Sequence, residues 1–316
     1  MDINNEILKL DWKREPYGLY EPIEYTLAAG GKRVRPQLAM IACQMFGGKD
    51  EDVLPAALAL EVFHNFTLLH DDVMDHAEVR RGRATVHVKW DENTAILSGD
   101  QMIIEAYKLL SKVPADKLPK VLEMFNDMAT EICEGQQYDV DFESQAEVSI
   151  EQYLKMIRLK TAVLLATALK MGSYIAGASS EQQEMLYEFG INIGLAFQVQ
   201  DDILDVWGNP ETFGKAVGGD ISCNKKTFVY LEAIRREDDG KKREELAKWY
   251  SQMLEDNTEK IAAVKEIFEQ LGVRERCEEV VEQYTSRALH LLSQLPQNQA
   301  TEQLRLLANK LNTRKN

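Results

Sequence analysis

Residues 185–208 read MLYEFGINIGLAFQVQDDILDVWG. Apolar side chains recur through this stretch at helical spacing, not in the alternation of a half-buried strand. They cover the helix nearly all round, so the helix belongs in a core. LEVFHNFTLLHDDVMD (60–75) and YLKMIRLKTAVLLATALKMG (153–172) read the same way. The eight prolines leave the spans 55–114, 119–210 and 210–296 uninterrupted, and proline is what breaks helices. Alternating runs bounded by Asn-Gly or Asp-Gly are absent, so no hairpin is expected. The fold class is all-α.

At 316 residues and 36.0 kDa the length suits two domains or one large helical one. No linker rich in Pro, Gly and Ser interrupts it, which favours a single domain over 1–316. From residue 231 onward the chain turns charged and amphipathic, as outer helices do. A net charge of −15 repels phosphate backbones and anionic lipid, so neither nucleic acid nor a membrane surface is an expected partner. Four scattered cysteines without a CxxC pair point to a reducing compartment and away from a thiolate metal site. No apolar stretch reaches the ~18 residues of a membrane span, and the start lacks a signal peptide. A cytoplasmic protein is expected.

One short pattern occurs twice, as Asp71-Asp72-Val73-Met74-Asp75 and as Asp201-Asp202-Ile203-Leu204-Asp205. On a helix Asp71 and Asp75 share a face, as do Asp201 and Asp205, with Cβ atoms roughly 5–6 Å apart. A solvated acidic face is the ordinary reading of such a run. It fits badly here, because none of the six has Lys or Arg at i±3 or i±4. Carboxylates on helices this apolar need distant partners or cations. All-oxygen ligands suit Mg²⁺, which takes one or two carboxylates and completes its shell with water and phosphate.

Basic residues cluster where core helices begin or end. They stand in GGKRVRP (30–36), in RRGR (80–83), at Lys160 in an apolar helix, at Lys215 and in NKKT (224–227). Arginine forks and lysine charges grip phosphates. Taken singly, Lys32-Arg33 and Arg80-Arg81 read as surface charge. Lys160 must find an anion or reach solvent. His70 and His76 read as core histidines.

GGKRVRP, HDDVMD…RRGRATVH, KTAVL, FQVQDDILD and GKAVGGDISCNKKT together resemble the trans-isoprenyl diphosphate synthases, the polyprenyl synthetases, over roughly 25–230. Ala84 stands where that family usually has proline. The resemblance implies a bundle of roughly ten or more helices around a central cavity, a homodimer, and condensation of isopentenyl diphosphate with an allylic diphosphate. It further implies about three Mg²⁺ per site, held by Asp71, Asp75 and Asp201 with Asp72 and Asp205 in or near the shell. Lys32, Arg35, His64 and Arg81 would hold isopentenyl diphosphate. Arg80, Lys160, Lys215 and Lys225 would grip the allylic diphosphate, with Thr161 and Gln198 beside the forming cation. The glycine-rich 208–227 would be a lid that excludes water.

Back along the Asp71 face, Thr67 and Phe63 lie about 6 and 12 Å away at 1.5 Å per residue. The family instead associates chain length with the position of Phe66, which helical geometry sets off that face. Either aromatic shortens the product, and geranylgeranyl diphosphate is favoured over farnesyl diphosphate. A terpene cyclase needs no second set of phosphate grips. An all-α phosphohydrolase built on His70-Asp71 leaves the second aspartate cluster idle. A regulatory subunit would be expected to have lost aspartates.

Overall fold

The computed structural model describes residues 2–209, 217–236, 240–252 and 254–312. Helices dominate them, as the periodicity requires, and packing sorts them into two compact units. The first comprises Met1–Asn126, Thr167–Glu184 and Asn298–Ala300; the second comprises Asp127–Ala166, Met185–Gln297 and Thr301–Asn316.

In the first unit the axis is α4 (Asp50–Met74), against which α1 (Ile3–Leu8), α2 (Tyr17–Leu27), α3 (Val34–Met45) and α6 (Glu92–Leu110) pack. Asp50, Glu51 and Asp52 open α4, where the helix dipole favours negative charge. The helix is buried almost all round from Val53 to Leu69. Its approach to α6 is close because position 99 is glycine: a Cβ there would come 2.2 Å from His70 Nε2. His70 in turn bonds the Ile96 carbonyl at 3.1 Å and is half-buried, while His76, read likewise as a core histidine, is exposed.

Two expectations need correction. By length and composition α4 is apolar enough to cross a membrane, although no such stretch was expected; 72% of that window is buried inside the protein, which makes it a core helix. A hairpin also exists, β1 (Val79–Arg80) paired antiparallel with β2 (Arg83–Ala84). Its turn is Arg81-Gly82 at φ 53° and 72°, positive at both central residues as tight hairpins demand. The turn lacks the usual Asn-Gly or Asp-Gly, because arginine takes the first left-handed place. The strand ends are tied by the Tyr25 hydroxyl, which donates to the Ala84 carbonyl at 2.9 Å. A short α5 (Val86–Lys89) follows.

In the second unit the core helix is α10 (Ser180–Trp207), buried from Leu186 to Val206 with few exceptions. Helix α8 (Ile150–Ile157) precedes it; α7 (Leu118–Ser144) belongs to this unit from Asp127 onward, and α9 (Val163–Ile175) only as far as Ala166. Between α8 and α9 the helix widens into a π turn over Arg158–Ala162, an irregularity often found at functional sites. Glycines let neighbours reach this turn. A Cβ at Gly135 of α7 would stand 2.4 Å from the Lys160 amide nitrogen, and one at Gly194 of α10 would stand 2.5 Å from Ala162 Cα. Beyond lie α11 (Gly219–Ser222), α12 (Phe228–Arg236), α13 (Lys241–Tyr250), α14 (Thr258–Gln270), α15 (Val273–Ser293) and α16 (Gln299–Asn312).

Candidate active site

The first unit gathers a cationic pocket on one buried ion pair. Arg33 caps α3 at φ 47° and is buried. Its Nη1 meets Glu61 Oε1 at 2.6 Å, its Nη2 donates to the Leu27 carbonyl, and its Nε reaches Asn4 Oδ1 at 3.3 Å. The same Glu61 oxygen accepts from Asn65 Nδ2 at 2.9 Å. Arg33 reads as surface charge in the sequence. The available signal was Glu61, a carboxylate amid apolar residues of α4 that had to find a cation.

Around this pair stand Arg35, His64, Arg80 and Arg81. Burial pulls the Arg35 pKa down to about 10, with Glu61 opposing and Arg81 adding to the shift. Arg35 Nε is buried without a hydrogen-bond partner. Arg81, at the hairpin tip, donates to the Gly30 carbonyl and lies against Gly31, where a Cβ would come 3.1 Å from its Cζ. That contact explains the glycine at 31, whereas Gly30 has open space around it and is set by its backbone at φ 75°. Lys32 is exposed in the same turn. Four guanidiniums against Glu61 and Asp72 leave this pocket a net +2. A cavity of about 30 Å³ is lined by Asn65, Asp72, Arg80, Arg81 and Thr85 among others.

His64 is buried within this field. Burial, then Arg35, Arg81, Arg80 and Arg33, drive its pKa well below the usual histidine value, so it stays neutral and can donate to an anion without titrating. The unfolded chain takes up a proton near pH 6.5 that the folded His64 refuses. Stability from this group is therefore intact above that pH and declines below it. The expected slope is up to about 1.4 kcal/mol per pH unit. Urea unfolding at pH 7 and pH 5.5 should show His64→Gln losing less stability on acidification than the parent; equal losses would contradict the burial of a neutral imidazole.

Within each aspartate cluster the members differ in burial and in their partners. Asp72 is buried, and its Oδ1 takes Nε and Nη2 of Arg80, both at 2.7 Å. Asp71 is half-buried and Asp75 exposed in the last turn of α4. In the second unit Asp202 is buried and accepts three donors: the Tyr153 hydroxyl at 2.6 Å, the Phe228 amide at 3.0 Å and Gln198 Nε2 at 3.2 Å. Gln198 thereby turns its Oε1 to the Thr161 hydroxyl at 3.5 Å. Asp201 is half-buried. Asp205 is buried, and its Oδ2 accepts from the Asp220 amide at 3.1 Å.

The donor set fits a hard divalent cation. Asp71 sits in the last turn of α4 and Asp75 caps it, while Asp205 lies near the end of α10. Neither last turn holds a basic residue. A helix C-terminus already carries partial negative charge, so carboxylates gathered there gain from a cation. Among the described residues no group of three or more His, Cys, Asp or Glu side chains closes a cage. Mg²⁺ needs only one or two carboxylates, since water and phosphate complete its shell.

Lys160, in the π turn, finds its anion in Asp139 at 2.5 Å. Lys225 is half-buried and its amide bonds the Asp220 carbonyl at 2.9 Å. Its neighbour Lys226 donates to the Phe142 and Gln145 carbonyls, at 2.8 and 2.5 Å. Lys215 and the middle of the expected lid lie outside the described residues. Phe63 and Phe66 are both buried with ring centroids 5.3 Å apart, and Phe63 meets Phe125 at 5.1 Å. The two candidate floor residues thus belong to one aromatic stack, although helix geometry set them on different faces. The Thr67 hydroxyl turns back to the His64 carbonyl at 2.9 Å.

The profile of the polyprenyl synthetase family matches residues 16–271. A geranylgeranyl diphosphate synthase of Methanosarcina mazei is 44% identical over 223 residues, 70% of this chain and 69% of its own length. A short chain isoprenyl diphosphate synthase of Methanothermobacter thermautotrophicus is 38% identical over 295 residues, 93% of this chain and 89% of its own. A crystal structure of a geranylgeranyl pyrophosphate synthase superposes with a TM-score of 0.92 at 46% identity, covering 99% of this chain and 96% of that one. With a family profile along most of its length and relatives this similar beside it, the chain belongs to the polyprenyl synthetase family.

Proposed function

We propose that the protein joins isopentenyl diphosphate head-to-tail to an allylic diphosphate, releases pyrophosphate, and makes geranylgeranyl diphosphate. The observation that carries this reading is the cationic pocket at Arg35, His64 and Arg81. Its net +2 and its neutral, donating His64 suit a diphosphate that is held and not ionised. A cyclase, which handles one diphosphate, has no use for it.

Asp71 and Asp75, and Asp201 and Asp205, are the carboxylates that hold Mg²⁺. Asp72 works through Arg80, which it keeps extended toward the allylic diphosphate. Bound Mg²⁺ supplies Lewis-acid withdrawal of charge from the leaving diphosphate. Lys160 and Lys225 grip that diphosphate, and Lys215 is assigned there on the motif. Gln198 Oε1 and the Thr161 oxygen place partial negative charge beside the allylic carbon as it becomes positive. Asp202 fixes the direction of that amide. Arg35, His64, Arg81 and Lys32 orient isopentenyl diphosphate for attack, and the proton lost afterward goes to the departing pyrophosphate.

Incubation with Mg²⁺, isopentenyl diphosphate and dimethylallyl, geranyl or farnesyl diphosphate tests the reading. It predicts a twenty-carbon product, whereas release of inorganic phosphate alone would overturn it. A homodimer is part of the proposal. It is supported by Ile96, Leu97, Ile104 and Tyr107, apolar and exposed on the single helix α6. A reducing, cytoplasmic setting agrees with four unbridged cysteines.

The aromatic stack sets the product length. Removing the Phe66 or Phe63 ring opens space of several methylenes at the floor, so Phe66→Ala or Phe63→Ala should extend the main product by one five-carbon unit or more. Chromatography of the dephosphorylated alcohols reads this directly. An unchanged chain length in both variants would discard the floor.

A further inference from the structure

Lys260 has no part in the site above, yet it is fully buried. It lies on α14, among the charged helices whose sequence suggests nothing beyond packing. Burying an ammonium is costly, and desolvation pulls its pKa down. Methionine would fill much the same volume without that cost.

The lysine's bonds show where it acts. Its Nζ donates to Asn224 Oδ1 and, at 3.0 Å, to the Gln252 carbonyl. Asn224 Nδ2 donates to the same carbonyl at 3.2 Å. Asn224 holds a left-handed backbone at φ 58°, a conformation that asparagine tolerates better than most residues but that still needs holding. The next residue is Lys225. The same helix grips the other end of this segment. Gly218, at φ 84°, lies so close to Ile261 that a Cβ would come 2.8 Å from its Cγ2. Consecutive residues of α14 thus clamp residues 218 and 224, and the chain between them carries the Asp220 contacts to Asp205 and Lys225.

We propose that Lys260 is a positioning residue, which holds the Asn224 side chain and so fixes the left-handed turn that presents Lys225 to the allylic diphosphate. This rests on the reading of Lys225 given above. A more flexible turn would still carry the same charge, but it would spend less of its time where the diphosphate lies.

The test uses the full chain with Mg²⁺, isopentenyl diphosphate and farnesyl diphosphate as the varied substrate. Lys225→Ala is expected to raise the KM for farnesyl diphosphate about tenfold, and Lys260→Met about fivefold to tenfold, with the KM for isopentenyl diphosphate within about twofold. The double variant should be no worse than Lys225→Ala alone, since the lysine to be positioned is gone. Asn224→Gly keeps the left-handed backbone while deleting the anchor. It should reproduce the selective KM rise, and it decides the question if Lys260→Met does not fold. If Lys225→Ala shows the rise but Asn224→Gly and any folded Lys260→Met do not, the positioning role is overturned while the Lys225 reading stands. Additive losses in the double variant overturn it as well, because they mark a general loss of stability. A Lys225→Ala enzyme with unchanged KM removes the Lys225 reading and this inference with it.

Discussion

Asp71→Ala and Asp201→Ala should each lower kcat by about 10³-fold or more while leaving the fold intact. The two halves of this expectation have separate causes. Each carboxylate is assigned to the cation that draws charge from the leaving diphosphate, and no other effect lowers the barrier to ionising an allylic substrate as much. Asp71, however, sits with Asp75 at the negative end of α4, and that last turn has no basic residue. Removing one of two like charges from a helix C-terminus relieves repulsion by a few tenths of a kcal/mol. The melting temperature of Asp71→Ala should therefore hold or rise slightly as turnover collapses. Rapid-quench measurement of single turnovers alongside calorimetry separates the two effects. Near-parental kcat in either variant would remove that aspartate from the metal assignment.

The second large effect is on stability. Arg33→Met leaves Glu61 buried without the guanidinium that now meets its Oε1 at 2.6 Å, and Glu61 Oε2 already has no partner. Stranding a buried charge in this way costs about 3–5 kcal/mol. Replacing both members, as Arg33→Met with Glu61→Leu, should recover much of that loss, because an apolar pair has no desolvation penalty to offset. The denaturant midpoint is the readout. A loss under about 1 kcal/mol in Arg33→Met would mean that the pair behaves like a surface bridge.

Much of this could be read along the chain. Helical period is a local property, so the core helices at 60–75, 153–172 and 185–208 were visible at once. The aspartate clusters were visible for a related reason: a carboxylate without a basic neighbour one turn away has no local answer to its charge. Lys160 posed the same question in reverse, and Asp139 on α7 is its answer. Other features escaped because their signal is not periodic. The π turn at Arg158–Ala162 rests on how closely Gly135 and Gly194 allow neighbouring helices to approach. The hairpin at Arg80–Arg83 depends on an arginine in a left-handed conformation, held by a carbonyl at Gly30.

The amino-acid order alone determined that the chain is all-α, that two aspartate pairs lie on helix faces, and that its motifs are those of a polyprenyl synthetase. Helical period and residue spacing carry the first two facts, the resemblance of the motifs carries the third, and no distant contact is needed to state them. Tertiary structure decided which member of each cluster is buried and which donors close it. Asp72 and Asp202 look identical to their neighbours in the sequence, yet Arg80 closes one, while Tyr153 and the Phe228 amide, 49 and 26 residues away, close the other. The physical reason is that a buried carboxylate is defined by the donors folded against it, and Tyr153 and Phe228 come from parts of the chain that no local pattern connects to Asp202.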